Sequence, residues 1–383
     1  MSRRLRAGRG VLVAVLGFAG AAALAVSAWS MGTSLVPFSS RPYRLGFIRW
    51  PVAGLFTAGA PEAALFIKAH ADLMCHHLES GVPWPEALVN GPFPDALMQD
   101  WKTARANTPT KHQVFVATTP MDGSRPRLAL YWGDRPNQPL PPPWDALPLN
   151  DPNVKIAYLN YLRRAIDFFR PKYVVIGIEV NLALLQDRAV WEQYLDLHRY
   201  VYTTLKRAHP KLQIFASVQY NIVRVWSQSD ASRESQAREL GRLLPYCDLL
   251  GLSLYPYGGT LTTPEPKPVP EDYFDAALTF GKPLAVTETG YPSQGFVKDG
   301  HQYTFSPSDQ FQYIGLLLRK ANEHNFAFIV NNTPLDFDQY LPALPAEIQN
   351  TLIWWAYGGL QDSQGKLKAA AYLWDEYLKL PKR

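Results

Sequence analysis

Hydrophobic residues in this chain recur in two ways: as short unbroken runs, and between the runs as stripes spaced three and four apart. The runs fall at residues 44–50, 72–77, 113–119, 173–179, 212–218, 249–254, 284–288 and 326–331. A strand covered on both faces reads as a continuous apolar run, which is the mark of a parallel sheet flanked by helices. Helical periodicity fills 154–169, 190–208, 232–244 and 308–323, and a last helix is predicted at 369–378. Strands alternating with helices argue a parallel β/α architecture. No glycine-rich nucleotide fingerprint follows the first run, which argues against an open doubly wound sheet. The expected fold is therefore α/β, a single-domain (β/α)8 TIM barrel over residues 40–383. The segments 120–152, 256–272 and 333–350 are long loops, and on a barrel they rise from the C-terminal face and wall a cleft.

Charge changes the picture only at the N-terminus. The formal net charge is +5, but Arg3, Arg4, Arg6 and Arg9 precede any acid, so the rest of the chain is nearly neutral. No basic patch is left to argue for nucleic acid. Those arginines lead into an unbroken small and apolar stretch at 11–28. A basic segment followed by such a stretch predicts a secretory signal peptide over residues 1–28, or an uncleaved membrane anchor. Either places the barrel outside the cytoplasm, secreted or periplasmic, with membrane contact only through that segment. The two cysteines, Cys75 in the second run and Cys247 leading into the sixth, are expected on opposite sides of a barrel, as unbridged buried thiols. Without a cysteine cluster or a histidine pair at helical spacing, no metal site is expected.

The candidate chemistry lies at strand ends. Glu179 and Glu288 each close an apolar run, in YVVIGIEVN and PLAVTETGYP. A carboxylate there costs several kcal/mol to desolvate unless the site uses it. Two carboxyls facing one another across a barrel mouth suit glycoside hydrolysis, one as acid and one as nucleophile. Tyr255, closing the sixth run, can donate its hydroxyl to the nucleophile. His77, Trp50, Gln219, Asn181 and Asn331 are further candidate substrate contacts at strand ends.

The segments DLLGLSLYPY and KPLAVTETGYPS, at 248–257 and 282–293, resemble the endo-β-1,4-galactanase family. That family belongs to a superfamily of retaining glycosidases on (β/α)8 barrels. The likeness extends over about residues 173–293; HADLMCHHLESGVPWPEAL, at 70–88, looks more like a branch of uncharacterised secreted bacterial proteins. The resemblance implies Glu179 as acid/base, Glu288 as nucleophile, no cofactor, and an oligo- or polysaccharide substrate of β-galactan type acted on by a monomer. Ile178 stands where the superfamily has asparagine before the acid/base, with Asn181 as a stand-in. The strand-eight tryptophan platform is replaced by Asn331 and Asn332. The rival expectation is a barrel that keeps a carbohydrate cleft without turnover. The final segment around WAYGGLQ is read as structural.

Overall fold

The computed structural model describes residues 36–49, 61–225, 230–258 and 267–383. Trp50 and the N-terminal segment 1–28 lie outside the described residues. Eleven strands are present among them: β1 (Arg44–Ile48), β2 (Leu73–Leu78), β3 (Gln113–Thr118), β4 (Tyr173–Val175), β5 (Gln213–Phe215), β6 (Ser217–Gln219), β7 (Leu250–Leu254), β8 (Leu284–Thr289), β9 (Phe296–Lys298), β10 (His301–Tyr303) and β11 (Phe328–Asn331). β9 and β10 form a separate antiparallel hairpin. The other nine form one parallel sheet in the order β5-β4-β3-β2-β1-β11-β8-β7-β6.

The two ends of that sheet are consecutive in the chain, separated only by Ala216. The apolar run at 212–218 is thus one barrel stave broken in the middle. Its first half pairs with β4 and its second half with β7. The ring closes through this break: the Ser217 amide donates to the Gly177 carbonyl at 2.9 Å, and the Gly251 amide to the Ala216 carbonyl at 3.1 Å. Rings from strands on opposite sides, Phe115, Tyr173 and Phe215 against Phe328, meet inside it at centroid distances of 4.8–6.3 Å. A barrel lumen is filled by side chains in this way, and chemistry is left to the C-terminal mouth.

The longer helices lie outside: α1 (Pro61–His70), α2 (Asp95–Ala106), α3 (Pro152–Phe169), α4 (Arg188–Ala208), α5 (Asp230–Leu243), α6 (Pro307–Glu323) and α7 (Ala369–Lys379). α4 shows why. Trp191, Tyr194, Leu197, His198, Val201 and Leu205 make one buried stripe, the spacing of an amphipathic helix. The Asp187 side chain caps the start by accepting from the Ala189 amide at 2.7 Å. α6 begins with a capping box between Ser306 and Asp309, with Pro307 in the first turn.

One contact between α4 and the barrel bears directly on the mouth. A Cβ placed on Gly177 would sit 2.1 Å from the Tyr194 hydroxyl. That hydroxyl cannot withdraw freely, because it is bonded to His198 Nδ1 at 2.9 Å, while His198 Nε2 donates to the Tyr246 carbonyl at 2.8 Å. Gly177→Ala is expected to destabilise the fold by about 1–3 kcal/mol, the usual cost of overpacking. Urea denaturation measures this, and an unchanged midpoint would refute the close approach.

Candidate active site

Glu288 owes its direction to a one-residue irregularity. Along β8, Val286 pairs with Leu252 of β7 and Ile329 of β11; the next pairs are Glu288 with Ser253 and Thr289 with Asn331. Thr287 is therefore an extra residue against both neighbours, a β-bulge, and its hydroxyl donates to the Leu252 carbonyl at 3.1 Å. Because side chains alternate along a strand, inserting one residue changes which face the following ones occupy. Thr289 packs against the helix layer, bonded to the Tyr313 hydroxyl of α6 at 2.6 Å. Glu288 points the other way, to the mouth. There the Tyr255 hydroxyl donates to its Oε1, and His77 Nε2 lies 3.5 Å from its Oε2. Burial and the Glu288 charge hold the Tyr255 phenol far above its ordinary pKa, so it acts only as a donor.

Glu179 arrives by a different device. β4 stops at Val175, and at Glu179 the backbone adopts a left-handed conformation, φ +47°. For a residue with a Cβ this costs on the order of 1–2 kcal/mol and recurs at functional sites. The turn is held by the Glu179 amide donating to Ser217 Oγ at 3.1 Å. Its carboxyl accepts from Ser253 Oγ at 2.8 Å on Oε1, and Arg125 Nη2 stands 3.6 Å from Oε2. Burial first, and then the negative charge of Glu288, push the Glu179 carboxyl up to about 7, against the opposing pull of Arg125 and Ser253.

The two carboxyls thus hang from one strand end. Ser253, the register partner of Glu288, holds Glu179, and Tyr255 two residues on holds Glu288. Behind them lies an ion-paired arc. Arg125 Nη1 is 2.7 Å from Glu79 Oε1, and His77 Nδ1 is 3.8 Å from Glu79 Oε2. Despite its burial, Glu79 is held below the usual carboxylate range by Arg125 and His77. Burial opposes the charge on His77, but Glu288 and Glu79 outweigh it and raise its pKa.

Of the residues singled out from sequence, Glu179, Glu288, Tyr255 and His77 come together here. Three others are turned elsewhere. Asn181 is fully buried, and its amide brackets the Gln219 main chain, donating to the carbonyl at 3.1 Å and accepting from the amide at 2.8 Å. Gln219 Oε1 accepts from the Ile222 amide at 2.9 Å and so caps the short helix Tyr220–Val225. Asn331 is fully buried and donates to the Thr333 and Gly358 carbonyls at 2.7 and 3.1 Å, tying two loops together. Ile178 packs into the core.

Sequence reasoning missed Arg125 altogether. It is 3% exposed, on a loop whose only signal was its length. Ser253 and Ser217 went unnoticed because a serine in an apolar strand is compositionally silent. Reading the C-terminal segment as structural overlooked Trp355. Its partly exposed ring meets Tyr255 edge-on at 6.2 Å. Trp354 beside it is wedged against Tyr257, Phe296 and Tyr303 at 5.0–5.7 Å.

No protein-family model matches the chain. In sequence it is 24% identical, over 195 residues, to an "uncharacterized protein in bgaB 5'region" of Niallia circulans; the match covers 46% of this chain and half the length of that relative. In structure it is similar to GH5_18 from Streptomyces cattleya, solved with GlcNAc, with TM-score 0.58 at 16% identity over 89% of this chain and 80% of that one. It is also similar to fungal β-1,4-galactanases, with TM-score 0.51 at 16% identity over 87% and 94%. An exo-β-1,4-mannosidase from an Opitutaceae bacterium gives 0.54 at 14% over 89% and 60%. The chain therefore has the (β/α)8-barrel fold of these glycoside hydrolases.

Proposed function

We propose that the protein is a retaining glycoside hydrolase acting on a β-linked glycan, with Glu288 as nucleophile and Glu179 as acid/base. The observation that carries this reading is the opposite treatment of the two carboxyls in one mouth. Glu179 is held protonated to about pH 7 by burial and its neighbour. Glu288 instead accepts from the Tyr255 phenol on one oxygen and has His77 Nε2 3.5 Å from the other. A carboxyl raised by burial suits the acid, and one oriented by a phenol donor in the same mouth suits the nucleophile.

In the first step a Glu288 oxygen attacks the anomeric carbon as the glycosidic C–O bond breaks, and the Glu179 proton passes to the departing oxygen. Glu288 becomes a neutral ester and Glu179 an anion. In the second step Glu179 takes a proton from water, the water oxygen attacks the anomeric carbon, and the Glu288 carboxylate leaves. Tyr255 keeps the attacking carboxylate oriented in both steps. A β-1,4-linked galactan or related hexan is the substrate class favoured by the sequence resemblance. The basic, apolar N-terminal segment would deliver the barrel to such a polymer outside the cytoplasm.

Proton NMR of the first sugar released from an aryl β-glycoside tests the reading. Retention requires the β anomer to appear first; an α anomer appearing first would exclude Glu288 as nucleophile. One observation favours a second reading, a sugar-binding barrel without turnover: Ile178, buried in the core, offers no amide beside the acid. Calorimetric binding of a β-glycan with no hydrolysis would select it.

A further inference from the structure

We propose that Glu79 is a positioning residue that holds one cation against each catalytic carboxyl, Arg125 against Glu179 and His77 against Glu288. The inference rests on the assignment of those two carboxyls given above. The contacts form an unbroken arc of alternating charge. From Glu288 it runs to His77 at 3.5 Å, from His77 to Glu79 at 3.8 Å, from Glu79 to Arg125 at 2.7 Å, and from Arg125 to Glu179 at 3.6 Å. His77 has a carboxylate near each ring nitrogen, at 3.5 and 3.8 Å, surroundings that favour the imidazolium form. Arg125 is fixed besides by donating from Nη1 to the Asp122 carbonyl at 2.9 Å.

The reaction explains why two cations are useful. Before the first step the negative charge sits on Glu288; in the glycosyl-enzyme it sits on Glu179. A single cation would favour one of these states and slow the step that leaves it. A cation at each end, both gripped by the same acid, keeps the two charge states close in energy without moving a side chain. Glu79 touches neither reacting atom and acts through its partners.

The test uses the full-length protein labelled with ¹³C at the glutamate carboxyls and histidine Cε1, and reads titration midpoints by NMR beside the pH profile of kcat/KM on an aryl β-glycoside. Facing Glu179 are Glu288 from β8, Tyr255 from the end of β7, and Glu79 and Arg125 from the loops after β2 and β3. Facing His77 are Glu288, Glu79 and Arg125. Removing the Glu79 charge frees Arg125 from Glu179 and takes an anion from His77. The Arg125 effect on Glu179 outweighs that of Glu79 itself, so Glu79→Gln is expected to raise the Glu179 midpoint, and the basic limb of the profile with it, while lowering the His77 midpoint by about 1 pH unit. Arg125→Gln should likewise move Glu179 up, by about 1 unit, while Arg125→Lys stays near wild type. A Glu179 midpoint that falls in Glu79→Gln, as loss of a mere neighbouring charge would make it, or midpoints that do not move in folded variants, would overturn the proposal. The NMR midpoints read the arc in a protein that hydrolyses nothing. An active enzyme with unmoved midpoints would remove Glu79's role and leave the hydrolase assignment standing.

Discussion

Glu288→Ala is expected to lower kcat/KM on aryl β-glycosides by about 10⁴-fold or more, the scale on which removal of a nucleophile acts. Among the described residues, the other carboxyls of the mouth are engaged elsewhere. Glu179 is tied to Ser253 and faces Arg125, and Glu79 is engaged by Arg125 and His77. The loss should not be a loss of folding. Glu288 sits at the end of β8 and its contacts are Tyr255 and His77, so the thermal midpoint should change little or rise as a buried charge is removed. Small anions offer a sharper check. Azide entering the vacated space would attack from the nucleophile's side and give an α-glycosyl azide. Residual activity within tenfold of wild type, or a defect matched by unfolding, would remove Glu288 from the mechanism.

Glu179→Ala is expected to separate substrates by their leaving groups. A dinitrophenolate departs without a proton, so its release should change little in the first step. An alkyl or sugar leaving group needs the acid and should react about 10²–10⁴-fold more slowly. The pH profile should change as well. Only the protonated carboxyl can donate, and its pKa is raised to about 7. In the wild type kcat/KM should therefore be level below that value and fall as pH rises through it. In Glu179→Ala this limb should vanish, and azide should speed the second step to give a β-glycosyl azide. Equal losses for all leaving groups with an intact basic limb would show that Glu179 is not the proton donor.

The staves of the barrel are legible in the sequence because a strand buried on both faces has no polar position to interrupt it. The strand-end glutamates are legible for the opposite reason, as charges where burial forbids them. What escapes is anything decided by backbone phase. Asn181 reads as a mouth residue only if strand four continues to it. The left-handed turn at Glu179 instead sends Asn181 into the bracket with Gln219. The bulge at Thr287 and the break at Ala216 lie inside uniform apolar runs, where composition holds no record of register. Arg125 lies on a loop without period, and its partners are set only by the folded path of that loop.

The break at Ala216 also divides the chemistry. His77, Glu79, Arg125 and Glu179, every member of the arc except Glu288, precede Ala216 in the chain; Ser253, Tyr255 and Glu288 follow it. On the proposed assignment, the N-terminal half of the barrel carries the acid/base and the C-terminal half the nucleophile. Neither holds both carboxyls, and the Glu288 charge raises the Glu179 carboxyl only once the ring is closed. On that assignment, competence depends on ring closure. A partly assembled barrel would carry each carboxyl without its counterpart.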